Sequence, residues 1–144
     1  MPKVSASVQT AADPDQAWQL AVNLSRQPEW LTMHDAFTGD VPGTLDTGVA
    51  YKQRVKMMGM PADIAWKVLT ADAPNKLEVA GDGPMGIKSV NRFFISPSSE
   101  GGTEITFEME FNGPALAGPM AAMAEKASGE AATASMAKFS ALLG

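Results

Sequence analysis

The stretch GPMAAMAEKASGEAATASMAKFSALLG, residues 118–144, closes the chain and decides how the rest is read. It reads as one long helix, with Met120, Ala124, Ala127, Ala131, Ser135 and Leu142 along its apolar side at spacings of three, four and seven. Most of those side chains are small, whereas a terminal helix normally covers a core with Leu, Ile and Phe. Either the backbone comes very close to its neighbour here, or space is left beneath it.

Upstream of this helix the period is two. Ile105, Phe107, Met109 and Phe111 alternate with Glu104, Thr106, Glu108 and Glu110, and Asn112-Gly113-Pro114 stops the run. Ile87–Ile95 is a strand whose inward set is Ser89, Asn91, Phe93 and Ile95. Before it, Leu77 and Val79 alternate with Lys76 and Glu78, and Ala62, Ile64, Trp66 and Val68 with Asp63, Ala65 and Lys67. Val49, Tyr51, Gln53, Val55 and Met57 share one further face. Links of hairpin length, marked by Gly, Pro and Asn, separate these strands, which implies antiparallel pairing.

At the start, Lys3–Thr10 alternates as a half-buried strand. Asp13-Pro14-Asp15-Gln16 then has a capping residue, a proline at the first helical position and a glutamine to complete a capping box. Ser25 is expected to cap a second, short helix through Glu29 and Trp30. Asp35–Thr47, rich in Gly, Asp, Thr and Pro, has room for a short strand near Phe37–Val41 at most. No helical crossover separates the later strands, so the class is α+β. Residues 1–144 read as a single domain.

The composition is that of a globular protein, with no Cys and a formal net charge of −5. The acidic balance argues against nucleic acid as a partner, since phosphate backbones reward clustered positive charge. Neither a signal-peptide pattern nor a membrane span is visible, and a cytoplasmic location is expected. Six of the eleven basic residues (Lys52, Arg54, Lys56, Lys67, Lys88, Arg92) fall on outward strand positions, as for a solvated face with cross-strand ion pairs. Most of the ten Met residues read as filler for irregular core gaps.

Several motifs carry no chemistry. Gly81-Asp82-Gly83-Pro84-Met85-Gly86 matches a dinucleotide-loop pattern, but IKSVNRFFIS follows it, and a β-patterned segment cannot supply the helix N-terminus that such a loop opens. It reads as a hairpin turn. His34, the only histidine, reads as a surface or hydrogen-bonding residue. No metal site, cofactor or catalytic residue is assigned. Trp18 and Trp30 read as core, and Trp66 as core or ligand contact. Tyr51, Gln53, Ser89 and Asn91 are polar residues on faces that should be buried, where polar groups need partners. They either satisfy one another or hold ordered water, or they line a cavity and orient a ligand.

The layout resembles the helix-grip fold, a curved antiparallel sheet of about seven strands around a long C-terminal helix, with two short helices after the first strand. It is similar to the superfamily of START lipid-binding domains, plant pathogenesis-related allergens and polyketide cyclase/dehydrase-like proteins. The carriers are DPDQAW, LSRQPEWLTMH, GMPADIAWKV, GGTEITFEMEFNGPALAGPM and SMAKFSALLG. LSRQPEWLTMH and the Gly113-Pro114 and Gly118-Pro119 steps resemble an actinobacterial branch, some members of which are described as toxin components of toxin–antitoxin pairs.

The resemblance implies an elongated apolar cavity between sheet and last helix, holding a lipid, polyketide or aromatic metabolite. Tyr51, Gln53, Trp66, Asn91, Phe93, Phe107 and Met109 would form its sheet side. Met120, Met123, Ala127 and Ala131 would form its helix side. Met57, Met58 and Met60 sit at a hairpin tip, as a turn cluster or a soft entrance. An aromatase/cyclase-like enzyme is the first alternative, with Tyr51 as donor and Asn91 or Gln53 polarising a carbonyl. An off-by-one phase in Ser89–Ile95, turning Arg92 inward, would strengthen it. The second alternative is a toxin-like or regulatory role through an unidentified protein partner.

Overall fold

The structure is a computed structural model and describes residues 3–57, 59–114 and 118–143. Seven strands, β1 (Lys3–Thr10), β2 (His34–Phe37), β3 (Ala50–Met57), β4 (Met60–Asp72), β5 (Lys76–Asp82), β6 (Lys88–Pro97) and β7 (Thr103–Asn112), form one curled antiparallel sheet. Their order across the sheet is β1-β7-β6-β5-β4-β3-β2. Helix α1 (Pro14–Val22), a 3-10 turn (Leu24–Glu29), a short 3-10 segment between β5 and β6 (Pro84–Gly86) and helix α2 (Pro119–Leu143) are the other elements among the described residues.

The alternation read from the sequence is the alternation of the sheet. Ile105 and Phe107 of β7 face Ile95 and Phe93 of β6 in register, and all four are buried. Val79 of β5 pairs with Asn91, and Trp66 of β4 with Tyr51 of β3. α1 starts as its sequence requires: the Asp13 carboxylate accepts from the Gln16 backbone N–H at 2.9 Å, and the Gln16 side chain accepts from the Asp13 N–H at 3.0 Å.

Some expectations need correction. The short strand β2 is His34–Phe37, not a strand near Phe37–Val41: the ladder with β3 ends at Phe37–Gln53, with one further bond from the Thr38 N–H to the Lys52 carbonyl at 3.1 Å. The second helix is a 3-10 turn capped by Asn23, whose side chain accepts from Ser25 N–H at 3.1 Å; Ser25 lies just inside the turn. Met33, Met109 and Met136 are buried, but Met60, Met85, Met120 and Met123 are exposed, so core filling describes only part of the set. Met58 and the Met57 side chain, two of the three methionines at the hairpin tip, lie outside the described residues.

The buried stripe of α2 is Ala124, Ser128, Ala132, Ser135, Met136 and Phe139. Ala124 and Ser135 belong to the expected side, Ala127, Ala131 and Leu142 are half-buried, and Met120 is exposed. The stripe follows steps of four and three, and its two large members, Met136 and Phe139, set the rotation of the helix. The small side chains allow close contact: α2 packs mainly along β1, and a Cβ at Gly129 would meet Val4 Cγ1 at 3.8 Å. Of the two readings of the small-residue face, close approach is the one realised.

On the outer face, Arg92 sits between three carboxylates. Its guanidinium donates to Glu78 at 2.6 Å, Glu108 at 2.8 Å and Glu110 at 3.2 Å. Arg92 therefore points outward, as the phase Ser89, Asn91, Phe93, Ile95 requires.

Candidate functional site

The concave face of the sheet is covered by α1, the 3-10 turn and the β2–β3 loop as well as by α2. Ala17, Leu20 and Ala21 turn inward from α1, and Leu24 and Gln27 from the turn. Trp30 then drops to the middle of the face and is 1% exposed. Its ring is edge-on to Phe93, Phe107 and Phe139, with centroids 5.5, 6.2 and 5.1 Å away. Phe93 and Phe107 stack at 4.8 Å. Such aromatic pairs add about 0.5–1.5 kcal/mol each beyond their buried area. The segment is tied to α2 by the Thr32 backbone N–H, which donates to Ser135 Oγ at 3.1 Å.

Beside the cluster lies a cavity of about 20 Å³. Its walls are Ala21, Gln27, Trp30 and Leu31 from the helical segment, Leu45 from the β2–β3 loop, and Tyr51, Leu77, Val79, Asn91, Phe93 and Phe107 from the sheet. Leu45 is the buried one of two large apolar side chains, with the exposed Val41, in a loop otherwise of Gly, Asp, Thr and Pro. Its backbone N–H donates to the Val22 carbonyl at 3.1 Å, which holds the side chain against the cavity. About 10–15 Å³ admits one water, so the cavity has room for a water and not for a metabolite.

Of the sheet-side residues expected at a ligand site, Tyr51, Asn91, Phe93 and Phe107 line this cavity. Gln53, Trp66 and Met109 are buried on the same face without lining it. The helix-side set is placed differently. Met120 and Met123 are 45% and 56% exposed, Ala127 and Ala131 are half-buried, and none of the four is among the cavity walls. Among the described residues, the cavity lies under α1, the turn and the loop rather than under α2. Ala21, Gln27, Trp30, Leu31, Leu45, Leu77 and Val79 also line the cavity and are not among the expected site residues; Leu77 and Val79 follow from strand phase, whereas no period marks Leu45.

Gln53 is 1% exposed and fully engaged. Its amide N–H groups donate to Gln27 Oε1 and His34 Nδ1, both at 2.7 Å, and its oxygen accepts from Trp66 Nε1–H at 3.1 Å. All three partners therefore lie outside the expected polar set. Burial pushes the His34 imidazole below its ordinary pKa, against a smaller opposite pull from the Asp35 carboxylate. Burial also pushes the Tyr51 phenol well above its ordinary value, with Gln27 opposing, so Tyr51 stays protonated. The cavity walls named above include no carboxylate, imidazole, amine or guanidinium.

Two polar atoms stand out. Trp30 Nε1 and Asn91 Oδ1 are buried and have no protein partner. Both residues line the cavity. A larger open groove, about 870 Å³, runs between β1 and the outer side of α2, with Glu125, Lys126 and Glu130 on its wall.

The family described as "Polyketide cyclase / dehydrase and lipid transport" matches residues 1–144. The chain belongs to that family. Among its relatives, Toxin Rv0910 of Mycobacterium tuberculosis (strain H37Rv) is 33% identical over 120 residues, 83% of each chain. The fold is START-like. A START superfamily protein from Mycobacterium smegmatis superimposes with a TM-score of 0.74 at 18% identity, covering 98% of this chain and 96% of that one. TTHA0849 from Thermus thermophilus gives 0.77 at 15% identity, over 99% and 97%. No helix among the described residues is long and apolar enough to cross a membrane.

Proposed function

We propose that this chain binds a hydrophobic small molecule, of lipid, polyketide or aromatic-metabolite type, on the concave face of the sheet beneath α1, the 3-10 turn and the β2–β3 loop. The observation that carries this reading is the apolar cavity at the centre of that face, whose walls hold two buried polar atoms without protein partners. Family membership supports it. At about 20 Å³ the cavity is the closed form of the site, and a ligand is admitted when Leu45 withdraws with its loop. Exposing a leucine costs roughly 1.5–3 kcal/mol. A ligand burying about 300 Å² of apolar surface gains roughly 7 kcal/mol before association costs, so the exchange is favourable for a ligand of metabolite size.

The test is saturable binding of the apolar dye N-phenyl-1-naphthylamine to the wild-type chain and to Leu45→Ala. Removing the leucine side chain should tighten binding several-fold. Native mass spectrometry of freshly purified protein should show a retained small molecule. Failure of both forms to bind the dye would overturn the reading.

The name of the mycobacterial relative favours a second reading, a toxin-like role through a protein partner. Induced expression in a bacterial host would then arrest growth, and co-expression of the neighbour-encoded protein would relieve the arrest. Normal growth of the induced cells would remove this reading.

A further inference from the structure

A ligand's shape can be apolar while one group on it is not. The cavity walls are apolar side chains apart from Gln27, Tyr51, Trp30 and Asn91. Gln27 is engaged by Gln53. Trp30 and Asn91, both lining the cavity, instead leave one buried polar atom each unmatched, and the two atoms are of opposite kind. Trp30 Nε1–H can only donate, and Asn91 Oδ1 can only accept. Trp30 is 1% exposed, so bulk water does not reach its N–H. Register places Asn91 between Val79 of β5 and Met109 of β7, in the middle of the sheet, where its Oδ1 is likewise cut off from solvent.

We propose that this site recognises a hydroxyl group on its ligand, the hydroxyl oxygen accepting from Trp30 Nε1–H and the hydroxyl hydrogen going to Asn91 Oδ1. A hydroxyl is a small group that both accepts and donates, so it satisfies both atoms at once. A carbonyl or ether satisfies Trp30 alone and leaves Asn91 unmatched. An ammonium satisfies Asn91 alone and meets Trp30 donor to donor. A carboxylate finds no cation among the cavity walls. An amide or a carboxylic acid also donates and accepts but brings a second polar atom to match, so the ligand class is an apolar molecule bearing an alcohol, enol or phenol, and the discrimination arises from the penalty of leaving buried polar atoms unpaired. This inference rests on the cavity-binding reading above and adds to it the polar group that is read.

The experiment compares 2-naphthol with 2-methylnaphthalene, each competing with N-phenyl-1-naphthylamine, on the wild-type chain, Asn91→Leu and Trp30→Phe. The methyl compound is the more hydrophobic, so area burial alone favours it. Hydroxyl recognition reverses that order, with 2-naphthol about tenfold tighter on the wild type. Each substitution should cut the preference to about twofold or less, and thermal melts report whether the variants are folded. Equal affinities on the wild type, or a preference undiminished in both folded variants, would overturn the hydroxyl assignment and leave cavity binding standing. If the dye binds to no form, the cavity reading falls and the assignment with it. The wild-type comparison alone decides the matter if neither variant folds.

Discussion

The indole N–H of Trp66 donates to the side-chain oxygen of Gln53 at 3.1 Å, and this bond fixes the roles in the buried network around it. An indole N–H never accepts, so the Gln53 oxygen must face Trp66 and its NH₂ must face Gln27 and His34. His34 Nδ1 is then an acceptor, and the imidazole is the neutral Nε2–H tautomer.

Replacing Gln53 by Leu removes all three bonds and leaves buried donors and acceptors behind. The loss should be about 1–3 kcal/mol for each buried partner left unmatched. Urea unfolding of Gln53→Leu measures it, and a change within about 0.5 kcal/mol would contradict the network.

His34 is the only histidine, so its nitrogen resonances are unambiguous. At neutral pH they should report the Nε2–H tautomer, with a pKa below the ordinary histidine value. Because the folded pKa is depressed, the folded chain binds fewer protons than the unfolded chain between the two pKa values. Stability from this group is therefore complete above about pH 6.5 and is lost as pH falls through the lower, folded value. Gln53→Glu supplies an acceptor that prefers imidazolium and should raise the His34 pKa; an unchanged titration would argue against direct contact.

Gly81 pairs across the sheet with Trp66, whose ring lies over it. A Cβ at Gly81 would stand 2.6 Å from two ring carbons and 2.7 Å from Ile64 Cγ2. Gly81→Ala should therefore cost about 1–3 kcal/mol through overpacking. A thermal melt unchanged from wild type would show that the indole can move aside freely.

Phe139 and Met120 lie on the same helix with opposite fates. Phe139 is fully buried against Trp30 and Phe93, so Phe139→Ala should cost about 3–5 kcal/mol. Met120→Ala, at an exposed site, should stay within about 0.5 kcal/mol of wild type. Chemical denaturation of the two variants checks both figures, and equal losses would contradict the rotation of α2.

The strands were legible because a sheet with one wet face writes its period into the chain. Glu104 to Phe111 shows this in consecutive residues, and the same alternation correctly sent Arg92 outward and Phe93 inward. The rotation of α2 was harder to read, since alanines and serines on neighbouring sides of a helix offer no contrast. Met136 and Phe139 held the information, but an exposed Met120 looked equally apolar. The cavity walls were half legible. Tyr51, Asn91, Phe93 and Phe107 follow from strand phase, whereas Leu45 sits in a loop with no period. The Gln27–Gln53 bond joins residues 26 apart in sequence on different elements, and only the folded chain brings them together.

The outermost strand β1 pairs only with β7, so Lys3 meets Glu110 and Thr10 meets Thr103. Ser7 meets Thr106, 99 residues further on, so during synthesis β1 must wait for that length of chain before it finds its partner. Such distant pairing slows folding and leaves the early strand open to wrong associations. Nascent copies of this protein are thus expected to lean on chaperones until β7 has been translated.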